Sequence, residues 1–481
     1  MNKINFGTDG WRAIISDDFT FDNVKMVAQS IADYVKYRKK FIQKKTSPYY
    51  KRKYKVVVGY DLRFLSEKYA EKIACVLAAN GINVILTDRA CPTPSVSYEI
   101  VDKGYLGGVM VTASHNPGEY NGIKYKEYYG GSAGKDATDH MESKFYKTTV
   151  KDMNIEEALK KGLVVYKDIA KDHIKAIQKF LNLKILKKAN LNVLVDSMNG
   201  TGLRYIEQIL KGSKNKVTTI NSNRDPYFGK RSPEPNEYHL IPTSEYMKNK
   251  GYDVALATDG DGDRLGVLTG KGEILSGHKV MTLLLLHLFE NKKKKGVVVQ
   301  TICGTSLIDK IAAKYKLKTF ETPVGFKYIS DLFESEDVLI GGEETGGVAY
   351  KGWLPERDGI LSGLLILEMI AYKKKSLVQI LKDIDKEYGT YVYKRFDLKC
   401  SLEKKKKLIK MLKEKPFKTI LGREVVETKT YDGFKFIFKD KTWVMLRPSG
   451  TEPKLRVYSE GRSEKEALDL LDFGKIFLKK V

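Results

Sequence analysis

Cysteine is scarce in this chain and widely scattered. Cys75, Cys91, Cys303 and Cys400 form no C-x-x-C pair, so neither a cysteine zinc motif nor a dithiol redox motif is encoded. Long apolar runs are missing too: the longest, residues 280–289 and 360–372, fall short of the ~20 residues needed to cross a bilayer. The first twelve residues hold no apolar stretch and carry Asp9, which argues against a secretory signal. Gly-Lys occurs at Gly134, Gly229, Gly270 and Gly474 but is never followed by Ser or Thr, so there is no P-loop. With 42% hydrophobic and 30% charged residues, a wholly disordered chain is excluded. The expectation is a cytoplasmic protein with reduced thiols. Its 481 residues suffice for three or four domains at ~100–200 residues each.

What the chain has in excess is positive charge: 85 Lys and Arg against 60 Asp and Glu, a net +25. Residues 36–55 hold ten of these cations and no acid, interleaved with Tyr37, Tyr49, Tyr50 and Tyr54. Such a segment can hold a single nucleic-acid strand, or it can be a solvated helix end and loop. Lysine is spread along the whole chain, so the second reading is preferred, with attraction for small anionic substrates rather than nucleic acid or membrane.

Short β-branched runs recur near residues 55–59, 82–87, 109–112, 191–195, 254–257, 296–300 and 338–340, each ending in Gly, Asp, Ser or Thr before a stretch read as helical. That alternation predicts parallel α/β sheets, whose ligands collect beyond the carboxyl ends of strands. The last ~90 residues read differently, as short strands joined by Asp/Gly/Pro turns and then a helix from about Glu464, a small α+β domain. Seams are expected near residues 151–163, 266–276 and 388–399.

Four polar loops carry the chemistry. Thr112-Ala113-Ser114-His115-Asn116-Pro117 follows a strand and predicts a serine exposed at the sheet's edge, suited to carrying a phosphoryl group; an N-cap serine is the alternative. In Thr258-Asp259-Gly260-Asp261-Gly262-Asp263-Arg264, glycines let three carboxylates converge on one hard cation. It is not an EF-hand, because loop positions six and twelve hold Arg264 and Gly270 rather than Gly and Glu. A solvated acidic turn is the alternative. Gly342-Glu343-Glu344-Thr345-Gly346-Gly347 suits sugar hydroxyls or is simply a tight polar turn. Arg447-Pro448-Ser449-Gly450-Thr451-Glu452-Pro453 offers a phosphate cradle or a hairpin turn. One decoy stands out: Gly130-Gly131-Ser132-Ala133-Gly134 matches the hydrolase G-x-S-x-G elbow. It follows a Tyr/Lys-rich segment read as something other than a buried strand, and no histidine lies beyond His287 to act as its base.

Together, from Phe6-Gly7-Thr8-Asp9-Gly10 through the three inner loops to the C-terminal one, these motifs resemble the α-D-phosphohexomutase family, the phosphoglucomutase/phosphomannomutase enzymes, and most closely the bacterial-type phosphoglucomutases. The resemblance implies three α/β domains with mixed sheets and a small α+β C-terminal domain around one central cleft. The boundaries expected are 1–155, 156–270, 271–388 and 389–481. It implies that Ser114 is the phosphoserine nucleophile and that Ser114, Asp259, Asp261 and Asp263 hold Mg²⁺. Arg12 and Lys124 would contact the transferring phosphoryl group, with Lys124 and His115 as acid/base candidates. Arg264, Glu343 and Thr345 would bind the sugar phosphate, and Arg447, Ser449, Gly450 and Thr451 its non-reacting phosphate. Glucose 1,6-bisphosphate is the implied activator, and the protein would be a monomer or homodimer.

Departures from the family pattern bear on specificity. Gly347 stands where many mannose-accepting members carry His, and Glu343-Glu344 looks more like glucose mutases than glucosamine mutases. The expected reaction is interconversion of glucose 6-phosphate and glucose 1-phosphate through the 1,6-bisphosphate. The alternatives are a mutase for mannose, amino-sugar or pentose phosphates, and a metal-dependent phosphatase.

Overall fold

The computed structural model describes residues 4–7, 9–449 and 453–480. They form two compact units: residues 1–295 with 325–377, and residues 296–324 with 378–481.

The first unit contains two open sheets. One has six strands in the order Trp11–Ile14, Tyr120–Glu127, Tyr105–Val111, Lys53–Tyr60, Asn83–Thr87, Val164–Lys167. The first three are antiparallel neighbours and the rest run parallel, so the sheet is mixed. The second has the order Leu265–Thr269, Val254–Thr258, Asn192–Asp196, Lys216–Ile220, with only its first pair antiparallel. Helices cover the strands by burying one face. Phe21–Lys39 is capped by Thr20, carries Asp22 in its first turn and Lys36, Arg38 and Lys39 in its last, and turns Val24, Val27, Ala28, Ile31 and Val35 inward. Gly359–Lys373 is almost wholly buried through Ile370. No helix among the described residues is long and apolar enough to cross a membrane.

The basic segment keeps its aromatic rings for itself. Tyr34 and Tyr49 are buried and donate to Glu127 at 2.5 and 3.3 Å. Arg38 lies over the rings of Tyr34, Tyr37 and Tyr49, and Lys39 over Tyr54. Cation–π pairing places these positive charges on the protein's own aromatics.

Two expectations are corrected here. The chain does not enter a helix after Ser114; it turns and returns as the strand Tyr120–Glu127, antiparallel to Tyr105–Val111. And that Tyr/Lys-rich strand is buried along seven of its eight residues. Ile123 and Tyr125 join the core, while the alternate Lys124 and Lys126 stay buried because carboxylates meet their ammonium groups.

In the second unit, Val297–Thr301 and Thr319–Thr322 pair in parallel. The C-terminal sheet is antiparallel throughout, in the order Val392–Lys399, Lys454–Gly461, Trp443–Pro448, Phe434–Phe438, Arg423–Lys429, Thr419–Ile420. Helices Leu402–Glu414 and Glu464–Lys480 supply Leu408, Leu412, Leu470 and Leu471 to its core.

Candidate active site

Ser114 sits in the left-handed region at φ 52°, and its side chain is fully buried rather than exposed at the sheet's edge. Its backbone N–H donates to Thr112 Oγ1 at 2.8 Å, and that hydroxyl donates to Asp61 Oδ2 at 2.7 Å. The loop is gathered by one residue that the sequence reading passed over. The Arg63 Nη groups donate to the carbonyls of Ser114 and Asn116 at 2.6 Å each, Pro117 at 2.7 Å and Tyr120 at 3.0 Å. Its Nε donates to Asp61 Oδ2 at 3.0 Å, so all three nitrogens of a fully buried guanidinium are engaged. His115 follows on the same loop, half-buried, and Arg12 Nη1 donates to Asn116 Oδ1 at 2.9 Å beside it.

Asp259, Asp261 and Asp263 are fully buried, and one oxygen from each lies within 4.8 Å of the others. Ser114 Oγ donates to Asp259 Oδ2 at 3.1 Å. Gly260 permits that approach, because a Cβ there would stand 2.4 Å from the Ser114 carbonyl oxygen. Asp259 is held through both oxygens, and Asp261 and Asp263 through one each. Asp259 Oδ1 accepts the N–H groups of Asp263 and Arg264 at 2.9 and 3.0 Å. Asp261 Oδ2 accepts from Thr93 Oγ1 at 2.5 Å and Lys124 at 2.8 Å, and Asp263 Oδ2 from Lys124 at 3.1 Å. The second oxygens, Asp261 Oδ1 and Asp263 Oδ1, are buried without a hydrogen-bond partner among the described residues. Paired on one side and bare on the other, hard-oxygen donors of this kind fit a divalent cation.

The electrostatics agree. Burial, then repulsion from Asp263 and Asp261, raises the Asp259 carboxyl well above the ordinary range. Asp261 moves the other way: burial favours its neutral form, but Lys124 and Thr93 outweigh it and hold the carboxylate ionised. Lys124 is 2.9 Å from Asp9, 2.8 Å from Asp261 and 3.1 Å from Asp263; against burial, these acids keep it charged well above the ordinary lysine range. Lys126 pairs with Glu356 and donates to Ser132 Oγ at 2.9 Å. The serine of the decoy elbow is therefore a ligand of a buried lysine.

Glu343 and Thr345 lie on the hairpin between Val338–Gly342 and Val348–Tyr350, with Glu343 buried and Thr345 half-buried. Burial, only partly opposed by Arg357, pushes the Glu343 carboxyl up to about 7. Arg264 is buried, 3.7 Å from Glu234. The hairpin joins the aspartate loop through its backbone, where Leu265 N–H donates to the Gly346 carbonyl at 3.1 Å. A Ser95–His173–Asp358 array, with bonds of 2.9 and 2.8 Å at the imidazole, resembles a hydrolytic triad. All three side chains are fully buried, and Asp358 caps helix Gly359–Lys373, so the array serves as a bolt between elements. In the second unit Arg447 Nε donates to Asp432 Oδ1 at 3.0 Å, and Lys405 donates to the Ser449 carbonyl at 2.8 Å. Gly450 and Thr451 lie outside the described residues.

Phosphoryl transfer assisted by a hard cation is the class of chemistry that a buried serine beside such carboxylates and cations supports. Comparison with known proteins makes the class particular. Residues 3–152, 171–272 and 276–388 match the models of phosphoglucomutase/phosphomannomutase alpha/beta/alpha domains I, II and III, and residues 398–473 match its C-terminal domain. A phosphoglucomutase/phosphomannomutase of Thermococcus kodakarensis is 31% identical over 98% of both chains. A phosphoglucosamine/phosphogalactosamine mutase of Sulfurisphaera tokodaii is 30% identical over 98% of both. A crystal structure from Thermus thermophilus, proposed as a phosphomannomutase, superposes with a TM-score of 0.85 at 30% identity over 99% of both chains. The chain belongs to the phosphoglucomutase/phosphomannomutase family and is an isomerase that transfers phosphate within sugar phosphates. Its three α/β domains with mixed sheets and antiparallel C-terminal domain are those of the family.

Proposed function

We propose that this mutase interconverts glucose 6-phosphate and glucose 1-phosphate, with Ser114 as the phosphorylated residue and glucose 1,6-bisphosphate as bound intermediate and activator. The observation that carries the reading is Ser114 Oγ, 3.1 Å from Asp259 within a cluster of three carboxylates, two of which keep one oxygen without a hydrogen-bond partner among the described residues. Mg²⁺ at Asp259, Asp261 and Asp263, with a phosphoserine oxygen, would supply charge neutralisation at the transferring phosphoryl group. Arg12 and Lys124 add fixed positive charge there, and Lys124, held charged by its carboxylates, can donate a hydrogen bond to the transferring group. Arg264, Glu343 and Thr345 orient the sugar, and the family resemblance gives Arg447, Ser449, Gly450 and Thr451 the role of holding the non-reacting phosphate.

The glucose assignment rests on the sugar hairpin. A side chain at Gly347 would displace Arg357, so histidine has no room there in this arrangement. A phosphoglucosamine reading has its own observation: Glu344 Oε2 is buried without a hydrogen-bond partner among the described residues and suits an ammonium as well as a hydroxyl. The test is an intact-mass measurement for one phosphate, then magnesium-dependent assays on glucose, mannose, glucosamine and ribose phosphates. Glucose phosphates should give the highest kcat/KM, and fastest turnover of glucosamine phosphates would reassign the substrate.

The Glu343 shift gives a pH prediction. A carboxyl at about 7 accepts two hydroxyl protons only above that pH. KM for the sugar phosphate should therefore rise as pH falls through about 7, and Glu343→Gln should raise KM at every pH and flatten that limb. The same shift has a sign for stability. The folded chain holds this proton more tightly than the ordinary value of 4.5 implies, so the contribution is present below 4.5 and lost as pH rises through about 7. A KM–pH profile identical in the variant would remove Glu343 from the sugar.

A further inference from the structure

One guanidinium joins the aspartate loop to the sugar hairpin. Arg357 is 2% exposed, and its Nη2 lies 2.9 Å from Asp263 Oδ2 and 2.7 Å from Asp9 Oδ2. Nη1 faces Glu343 Oε2 at 3.6 Å, and Nε donates to Glu356 Oε1 at 3.2 Å, an oxygen that also accepts the Arg357 N–H. The ring of Phe326 lies against the guanidinium at 5.0 Å. Four carboxylates thus share one cation that neither the composition nor any motif marks out.

The room for this side chain comes from Gly347. A Cβ there would stand 2.4 Å from Arg357 Cδ and 2.9 Å from Cγ. The backbone at Gly347 is not in the left-handed region, so glycine is needed there for space rather than for conformation. The clash falls on the middle of the arginine stem, and no rotation of its tip relieves it. Gly347 and Arg357 are therefore complementary: a side chain at the first position moves the charge of the second.

We propose that Arg357, seated in the space left by Gly347, is a positioning residue that couples cation binding at the aspartate loop to sugar binding at Glu343. The inference rests on the site reading above. Arg357 holds Asp263 by Oδ2 and leaves Oδ1 without a hydrogen-bond partner among the described residues, 4.0 Å from Arg264 Nε. A divalent cation on Oδ1 draws charge from Asp263, so Asp263 competes less for the guanidinium, whose field then falls on Glu343 and keeps it an acceptor. The coupling is reciprocal: sugar bound at Glu343 must tighten the cation by the same factor, commonly ~5–150-fold in such linked sites.

The test is a Mn²⁺ titration followed by electron paramagnetic resonance, without sugar and with saturating glucose 6-phosphate, beside KM and the melting midpoint. In the wild type the sugar should lower the Mn²⁺ Kd severalfold. Part of that effect belongs to the phosphate itself, so Glu343→Gln sets the baseline ratio. Arg357→Lys, which keeps the charge but loses the fork, and Gly347→Ala, which keeps the arginine but displaces it, should both fall to that baseline. Adding Glu343→Gln to either should lower the ratio no further. If Arg357→Lys does not fold, the milder Gly347→Ala carries the test. A wild-type ratio retained in both variants, with only the melting midpoint reduced, would make Arg357 structural and overturn the proposal. A wild type that binds neither Mn²⁺ nor sugar phosphate would instead bring down the site reading, and this proposal with it.

Discussion

Replacing Ser114 with alanine is expected to remove the covalent phosphate and lower kcat by about 10⁴-fold or more, the scale seen when a covalent nucleophile is deleted. Two hydroxyls bonded to this site are already committed. Thr93 Oγ1 is committed to Asp261 at 2.5 Å, and Thr112 Oγ1 both accepts from Ser114 N and donates to Asp61. The fold should survive, because the bond lost is one hydroxyl donor to Asp259, which retains the N–H groups of Asp263 and Arg264 on its other oxygen. A hydroxyl donated to a carboxylate contributes about 1.5–3 kcal/mol. The backbone at φ 52° is no harder for alanine than for serine. Intact mass, circular dichroism and a coupled mutase assay check all three statements. A variant that keeps its phosphate, or turns over at the wild-type rate, would move the nucleophile elsewhere.

The second large effect is expected at Arg63, which touches no substrate group in the reading above. Arg63→Met takes the guanidinium from the carbonyls of Ser114, Asn116, Pro117 and Tyr120, of which Pro117 keeps the Tyr120 N–H at 3.1 Å, and strips buried Asp61 of its ion pair. Breaking a buried pair by removing one partner typically costs about 3–5 kcal/mol, and the orphaned carbonyls add to it. The melting midpoint should fall by roughly 10 °C. Arg63→Lys should recover only part of this, since one ammonium has three donors and no fork to spread over four carbonyls and a carboxylate. Because the same four carbonyls shape the Ser114 loop, phosphorylation of Ser114 should drop in Arg63→Lys even where the protein is folded. Thermal unfolding with intact mass reads both effects. A midpoint within about 2 °C of wild type in Arg63→Met would show that the loop holds itself.

The chemistry-bearing loops were legible because their logic is local. Glycines between three aspartates, and a serine directly after a buried strand, point to a candidate cation site and a candidate nucleophile at short range. The strands at residues 55–59, 254–257 and 338–340 were legible for a similar reason, since runs buried on both faces are nearly continuous in Val, Ile and Leu. The strand Tyr120–Glu127 was not. Lys124 and Lys126 look like solvent-facing residues until their partners are known, and those partners, Asp9, Asp261, Asp263 and Glu356, lie more than a hundred residues away.

Sequence alone determined the α/β domains and the order of the candidate loops, and it supplied the residues proposed here to carry the phosphoryl chemistry. Only the tertiary structure decided what holds them. It placed Arg63 under the serine loop, drew Arg357 into the space at Gly347, and left one oxygen of Asp261 and one of Asp263 without a hydrogen-bond partner among the described residues while fixing the other. The physical reason is range. A glycine's freedom or a strand's periodicity acts between neighbours and is written in the sequence as a pattern. A buried charge is tolerable only where a distant opposite charge meets it, and which distant residue does so is settled by folding.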